Sequence, residues 1–270
     1  MPDQQRGDEL PGAVVTAGEA ERLAPELGAT PEAVRAHLAL MPPRYAAAVP
    51  ARALVRHTLM AATPPGRHEV RTRVTPGGDE AAQPGVLDEL DVVAIDHPGW
   101  CAKVAGVVAL NGGSILAADA FARTDGLSVD TFRVAKPEGA AGSWWARVEG
   151  DLAEAAAGKL AIRARVMREA RRERRRLAHR PAAATKVAIE RDPAGGGTVI
   201  EVRTLDRIGV LYSIAAALAE LELDIVVARV QTVGHEVVDA FHVRDAQTRP
   251  LDADHAAEVE LAITAAVDEL

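Results

Sequence analysis

The chain has 270 residues, 48% of them hydrophobic, a formal net charge of −8 and one cysteine, Cys101. This is enough apolar material for a sizeable core in one to two domains, and a single thiol excludes an internal disulfide and suits a reducing cytosol. No apolar run approaches the ~20 residues of a membrane span and the acidic, polar start is not a signal peptide, so a cytoplasmic, non-membrane protein is expected.

Residues 1–12 are polar and expected to be disordered. Thr16–Leu27, stopped by Gly28, and Pro31–Leu40, opened by Thr30-Pro31-Glu32, carry the signals of short helices. Prolines at 42, 43 and 50 then interrupt the chain, Ala51–Ala62 predicts another helix, and Pro64-Pro65-Gly66 closes this lobe. His68–Val74 predicts a strand that leads through Gly77-Gly78 into Asp88–Val134, which reads as strand, helix, strand, strand with a hairpin at Asp125-Gly126. Pro137–Gly142 is a loop and Trp144–Ala157 a second helix.

Lys159–Arg180 predicts a basic helix, nine arginines and Lys159 against Glu169 and Glu173, a local +8 that leaves −16 on the remainder. A nucleic-acid contact is one reading. A solvated linker helix is favoured over it, because no aromatic residue interleaves the arginines and no recognition motif flanks them. Thr185–Glu190 predicts a strand, followed across Gly195-Gly196-Gly197 by Thr198–Val243. There Ile200 and Val202 alternate with Glu201 and Arg203, as in a strand with one face inward. From Val210 the apolar residues Val210, Ile214, Ala217, Leu218 and Leu221 take helical spacing. Ile225–Val233 and Glu236–Val243 form a hairpin across Gly234-His235, and Asp252–Asp268 is a last helix with an acidic first turn.

Thr198–Val243 repeats Asp88–Val134. At an offset of 110, Asp96-His97-Pro98-Gly99 falls on Asp206-Arg207-Ile208-Gly209, Ala105 on Ala215 and Ser114-Ile115 on Asp224-Ile225; after the hairpin the offset is 109, and Val129–Val134 falls on Val238–Val243. A repeat of this length means two copies of one small domain. The expected fold is α+β: two ferredoxin-like domains, each an antiparallel sheet with helices on one face, and each taking its fourth strand from the segment before it. The expected boundaries are a helical lobe over 1–66, a first copy over 67–158, a basic linker over 159–183 and a second copy over 184–270.

The paired stretches Asp-Arg-Ile-Gly-Val-Leu-Tyr, Asp-Ile and Val-Asp-Ala-Phe-His-Val resemble the ACT regulatory domain. The form they resemble most is the tandem pair at the C-terminus of the bifunctional uridylyltransferase/uridylyl-removing enzyme that modifies the PII nitrogen-signalling protein. The resemblance runs from Arg67 to the end and extends weakly to Met41–Tyr45 and Ala53–Met60. It implies a ligand held between the strand-to-helix loop and the start of the second strand, often across two domains paired side by side. Carried over by position, this names Asp96, His97, Gly99, Trp100, Asn111, Gly112, Ser114 and Ile115 in the first copy, and Asp206, Arg207, Gly209, Val210, Leu223, Asp224 and Ile225 in the second. The implied ligand is a free amino acid, glutamine favoured, and the implied partners are a nitrogen-regulatory protein and a second ACT domain, met within the chain or in a homodimer.

The physical chemistry of such a site is simple: a helix start offers N–H donors and a positive dipole end to a carboxylate, and Gly99 and Gly209 let it approach the backbone. Asp96 and Asp206 have a second reading as helix caps, and Asn111-Gly112-Gly113 as a helix stop. The first copy is favoured as the binding one, because its loop keeps Pro98 where the second has Ile208, and because Glu222 and Asp224 make the second more acidic. Asp130 and Asp239 stand on apolar strand faces and need partners there, either a ligand or interdomain contact or a hydrogen bond or arginine pair inside the fold. Catalytic and metal-binding motifs are missing: no His-Glu-x-x-His, no His-x-x-x-His pair and no nucleophile set for a triad. Neither the nucleotidyltransferase nor the metal-dependent hydrolase domain of the resembling enzyme fits in the lobe ahead of the first copy. The expectation is a regulator without catalytic residues, cofactor or metal. Two alternatives stay open, an interaction module with no small ligand and a regulatory subunit of a separately encoded uridylyltransferase.

Overall fold

A computed structural model describes residues 11–77, 87–176, 184–192, 197–233, 236–245 and 249–270. The polar start through residue 10, Gly78 of the first turn, Gly195 and Gly196 of the second, the Gly234-His235 hairpin tip and the continuation of the basic helix to Arg180 lie outside these residues. The elements follow the order helix α1 (Pro11–Leu23), a 3₁₀ turn (Pro25–Leu27), α2 (Pro31–Leu38), α3 (Tyr45–Ala48), α4 (Ala51–Ala61), then β1 (Val70–Thr75), β2 (Asp88–Ile95), α5 (Trp100–Leu110), β3 (Ser114–Ala122), β4 (Leu127–Ala135) and α6 (Trp144–Ala156). After α7 (Ile162–Arg176) the pattern recurs as β5 (Lys186–Arg191), β6 (Thr198–Leu205), α8 (Val210–Glu220), β7 (Asp224–Val233), β8 (Glu236–Arg244) and α9 (Ala253–Asp268).

The strand order is β1-β2-β4-β3-β7-β8-β6-β5, so the two preceding strands β1 and β5 are the edges of an antiparallel sheet, as expected. Both edges carry charge, Arg71 and Arg73 on one and Lys186, Glu190 and Arg191 on the other, which discourages further strand addition. The copies join through their second strands: Ala117 pairs with Arg229, Ala118 with Ala228 and Asp119 with Val227. Because the copies are offset by 110 residues, this register places a pseudo-two-fold axis at the Ala118–Ala228 pair. Arg229 adds a 3.2 Å ion pair to Asp119 and a 3.2 Å hydrogen bond to the Ala118 carbonyl.

Two compact units emerge. One comprises the helical lobe through Arg71 with the strand segments Asp91–Asp96 and Phe121–Asp130; the other holds Thr72–Leu90, His97–Ala120 and Thr131–Leu270. In the first unit, Tyr45, Val49, Leu54 and Val55 of the helices pack with Val93, Phe121, Leu127 and Val129. A buried polar chain threads this core. Arg123 Nη1 lies 3.3 Å from His37 Nδ1, His37 Nε2 is 3.0 Å from the Tyr45 hydroxyl, that hydroxyl is 2.8 Å from His57 Nδ1, and His57 Nε2 is 3.0 Å from Asp91 Oδ1. Since a guanidinium only donates and a carboxylate only accepts, the two ends fix every proton between them: each residue accepts from the one before and donates to the one after. Burial, then the Arg123 charge, pushes the His37 imidazole down to about 3. Burial alone would raise Asp91, but hydrogen bonds from His57 and Arg56 more than offset it and hold its carboxyl below the usual range.

In the second unit, α5 and α8 lie against each other, and α7 packs on this pair through the buried residues Ile162, Val166 and Ala170, spaced four apart on one face. Glycines admit α7: a Cβ on Gly106 would collide with Ile162, and one on Gly209 with Val166. The basic helix is therefore amphipathic and docked, with its arginines outward. Among the described residues no helix is long and apolar enough to cross a membrane.

Candidate functional site

The β6–α8 loop, Asp206-Arg207-Ile208-Gly209, turns the chain through Gly209 at φ +90°, a left-handed conformation open to glycine. The first copy does the same at Gly99, φ +82°. In both copies the N-cap is the glycine, which has no side chain to cap with, so Asp96 and Asp206, three residues earlier, do not occupy the N-cap position. Asp206 is exposed, while Asp239 across the loop on β8 is buried.

A cleft of about 530 Å³ opens over this loop. Asp206–Tyr212 form one wall, Gly112–Leu116 at the α5–β3 turn of the first copy another, and Glu173 of α7 with Val230, Val237 and Asp239 complete it. It thus joins the strand-to-helix loop of one copy to the second-strand start of the other. Two of its polar groups are left wanting. Asp239 is 1% exposed and its Oδ1 has no hydrogen-bond partner; Arg207 Nε is buried without an acceptor, although Arg207 Nη2 donates to the Val267 carbonyl at 3.3 Å. Burial, then the nearby Asp206 charge, raises the Asp239 carboxyl to about 7. Burial, then Arg174, lowers the Arg207 guanidinium, with Asp268 and Glu173 opposing.

The equivalent aspartate of the first copy shows what Asp239 lacks. Asp130 Oδ1 accepts from the Ser128 hydroxyl at 2.7 Å and from the Phe121 amide at 3.3 Å. Two residues before Asp239 the chain has Val237 in place of that serine, and the carboxylate is left facing the cleft.

The expected site residues divide. Asp206, Arg207, Gly209 and Val210 of the second copy meet Gly112, Ser114 and Ile115 of the first in the cleft. Asn111 does not line it: its amide donates to the Val107 carbonyl at 3.1 Å and to Asp151 at 2.9 Å, and its carbonyl accepts from Trp144 Nε1 at 2.8 Å, so it ties the end of α5 to α6. The first loop builds something else. His97 Nδ1 donates to the Pro98 carbonyl at 2.9 Å, its Nε2 lies 3.3 Å from Lys103 Nζ, and its ring meets that of Trp100 edge-on at 5.6 Å. Trp100 is buried with Nε1 unpartnered, and burial lowers the Lys103 ammonium. Asp96 stands just before this loop, with its amide on the Gly126 carbonyl. The pseudo-two-fold relates the cleft to this loop and to Leu223, Asp224 and Ile225 at the start of β7, none of which lines the cleft; Gly99 approaches Ala219 there, with a Cβ position 3.5 Å from the alanine methyl. The described cleft is therefore built on the second loop, not on the Pro98 loop that the sequence favours, because Val237 frees Asp239 and α7 walls the second loop.

Glu173 is the residue the sequence conceals most. Its Oε2 accepts the Ile208 amide at 2.7 Å, on the loop itself. Among the described residues no group of three His, Cys, Asp or Glu side chains could hold a metal ion. A groove on the outer face of α7 is lined by residues 161–175 alone and brings no second element to it.

A family profile, the ACT-like domain of plant bHLH transcription factors, matches residues 192–268. Among curated proteins, the bifunctional uridylyltransferase/uridylyl-removing enzyme of Gluconobacter oxydans is 34% identical over 165 residues, 59% of this chain and 17% of the relative. The enzyme of Rhodopseudomonas palustris is 31% identical over 220 residues, 80% of this chain and 23% of the relative, and that of Nitrobacter hamburgensis 32% over 218 residues, 78% and 22%. Residues 192–268 are an ACT-like domain, and the first copy repeats its strand-helix-strand-strand frame. The chain is related to the regulatory region of those enzymes and spans only about a fifth of their length. The tandem ACT pair is closed within one chain, β3 against β7, and the cleft lies across that pairing.

Proposed function

We propose that this chain is a non-catalytic, cytoplasmic regulator whose ACT pair, with copies over 67–158 and 184–270, binds one free amino acid in the Arg207–Asp239 cleft. The observation that carries the reading is the pair of unsatisfied groups there, a buried donor on Arg207 and a buried acceptor on Asp239. Leaving either without a partner costs about 1–3 kcal/mol, and a zwitterion repays both: its carboxylate meets Arg207 and the Ile208 amide just ahead of α8, and its ammonium meets Asp239. Ser114 and the Gly112 backbone at the far wall bound the side chain. The resemblance to the uridylyltransferase regulatory region supports glutamine as the ligand and a role in nitrogen sensing as the reading. A thermal-shift screen of the purified chain against the twenty amino acids tests this. Ligand at about 100 times its dissociation constant adds about 2.7 kcal/mol, a rise of several degrees. The rise is expected for glutamine and lost in Arg207→Ala; no rise with any amino acid at millimolar concentration overturns the reading.

A further inference from the structure

The cleft already contains a carboxylate that belongs to the chain. Glu173 lines it, and its Oε2 accepts the Ile208 amide at 2.7 Å, on the stretch of loop between Arg207 and the Gly209 N-cap. The last turn of α7 also covers this point, with Glu169, Arg172, Glu173 and Arg176 around Ile208. The helix is held by Ile162, Val166 and Ala170, all of them N-terminal to Glu173. Glu173 is one of two acids in a helix with eight arginines, and the other, Glu169, pairs within the helix with Arg168 and Arg172.

We propose that Glu173 is an internal pseudo-ligand: its carboxylate holds the place on the β6–α8 loop that the carboxylate of a bound amino acid takes, so that ligand binding expels it and frees the last turn of α7. The inference rests on the amino-acid reading of the cleft. Two carboxylates cannot share one N–H beside one guanidinium without strong like-charge repulsion, so occupancy by Glu173 and by ligand exclude each other. The apolar face at Ile162, Val166 and Ala170 keeps the helix docked, and only the turn from Glu173 to Arg176 is released. That turn ends in three successive arginines, Arg174, Arg175 and Arg176. Binding at the cleft thereby changes the presentation of a positive surface, which gives the site an output.

The test is calorimetric titration of glutamine into the full chain and its Glu173→Ala and Glu173→Gln variants, with trypsin cleavage after Arg174–Arg176 followed in parallel. Glu173 is half-buried at the helix surface, so both variants fold, which matching circular dichroism verifies. Removal of the competing carboxylate is expected to tighten glutamine binding by about tenfold, the factor that 1.4 kcal/mol represents. Glutamine is expected to accelerate cleavage of the wild type toward the rate of the unliganded alanine variant. Equal or weaker binding by the variants, or cleavage indifferent to glutamine in a wild type that binds it, overturns the inference and leaves the amino-acid reading intact. Failure of all three proteins to bind any of the twenty amino acids overturns both.

Discussion

Asp239 offers a perturbation whose sign and size follow from its surroundings. Burial and the Asp206 charge raise its carboxyl to about 7 from the ordinary 3.8. In the unfolded chain the same group loses its proton near pH 4. Between pH 4 and pH 7 the folded form therefore binds the proton that the unfolded form has released, and stability falls as pH rises through this window. The full penalty is present above pH 7. At 1.36 kcal/mol per pH unit, it amounts to about 4 kcal/mol. Asp239→Asn keeps the shape and removes the titration. Its amide brings an unmet hydrogen-bond demand of its own, but one that is the same at every pH. Urea unfolding of both proteins at pH 4, 5, 6, 7 and 8, with equal m-values, reads the difference. The variant is expected to gain about 4 kcal/mol relative to the wild type between pH 4 and pH 8. Parallel stability curves would show that Asp239 is already satisfied within the fold and has no need of an ammonium partner.

Further predictions concern the frame of the site. Glu222 is the one non-glycine with positive φ among the described residues, at 56°, and its counterpart in the first copy is Gly112 at 76°. Since the left-handed region costs an L-residue roughly 1–2 kcal/mol, Glu222→Gly should raise stability by about 1 kcal/mol after the entropy of glycine is subtracted; a loss in chemical denaturation contradicts this. Gly209→Ala sets a methyl against Val166 at a left-handed N-cap, and a cost of about 1–3 kcal/mol is expected, with faster hydrogen exchange along α7; unchanged exchange would show that α7 does not depend on that glycine. Asp91→Asn removes the buried carboxylate charge that lies 2.8 Å from Arg56 Nε. Breaking such a buried pair costs about 3–5 kcal/mol, and near-ultraviolet signals of Tyr45 should melt earlier; retention of the wild-type midpoint refutes the role given to the chain from Arg123 to Asp91.

Much of the fold was legible because the copies share a frame. The offset alignment located the strands and the helix that Asp88–Val134 and Thr198–Val243 share, since alternation and helical spacing are set by which face is buried, while β1, α6, β5 and α9 follow from their own local signals. The lobe was less legible. The helix α1 begins at Pro11, inside the stretch expected to be disordered, because proline at a first helical position is already in helical geometry; the one-turn α3 between Pro43 and Pro50 carries no periodicity to detect. At the site, the aspartate of each loop looked like a cap, but the glycine that must take the left-handed conformation is the N-cap. Asp239 was marked by its apolar strand face, whereas its isolation depends on Val237, a fact visible only beside the Ser128–Asp130 pair. Glu173 left almost no trace, as one acid in an arginine run. The run 159–180 reads as a solvated linker helix, whereas Ile162, Val166 and Ala170 are buried and dock it.

The central claim is that one amino acid bridges Arg207 and Asp239. Calorimetric titration of glutamine into the wild type, Arg207→Ala and Asp239→Asn at pH 8, where the Asp239 carboxyl is charged, tests it most directly. One glutamine per chain is expected for the wild type, with a loss of at least tenfold in affinity for each variant. Glutamine binding that both variants retain unchanged, or no binding of any amino acid by the wild type, would contradict it.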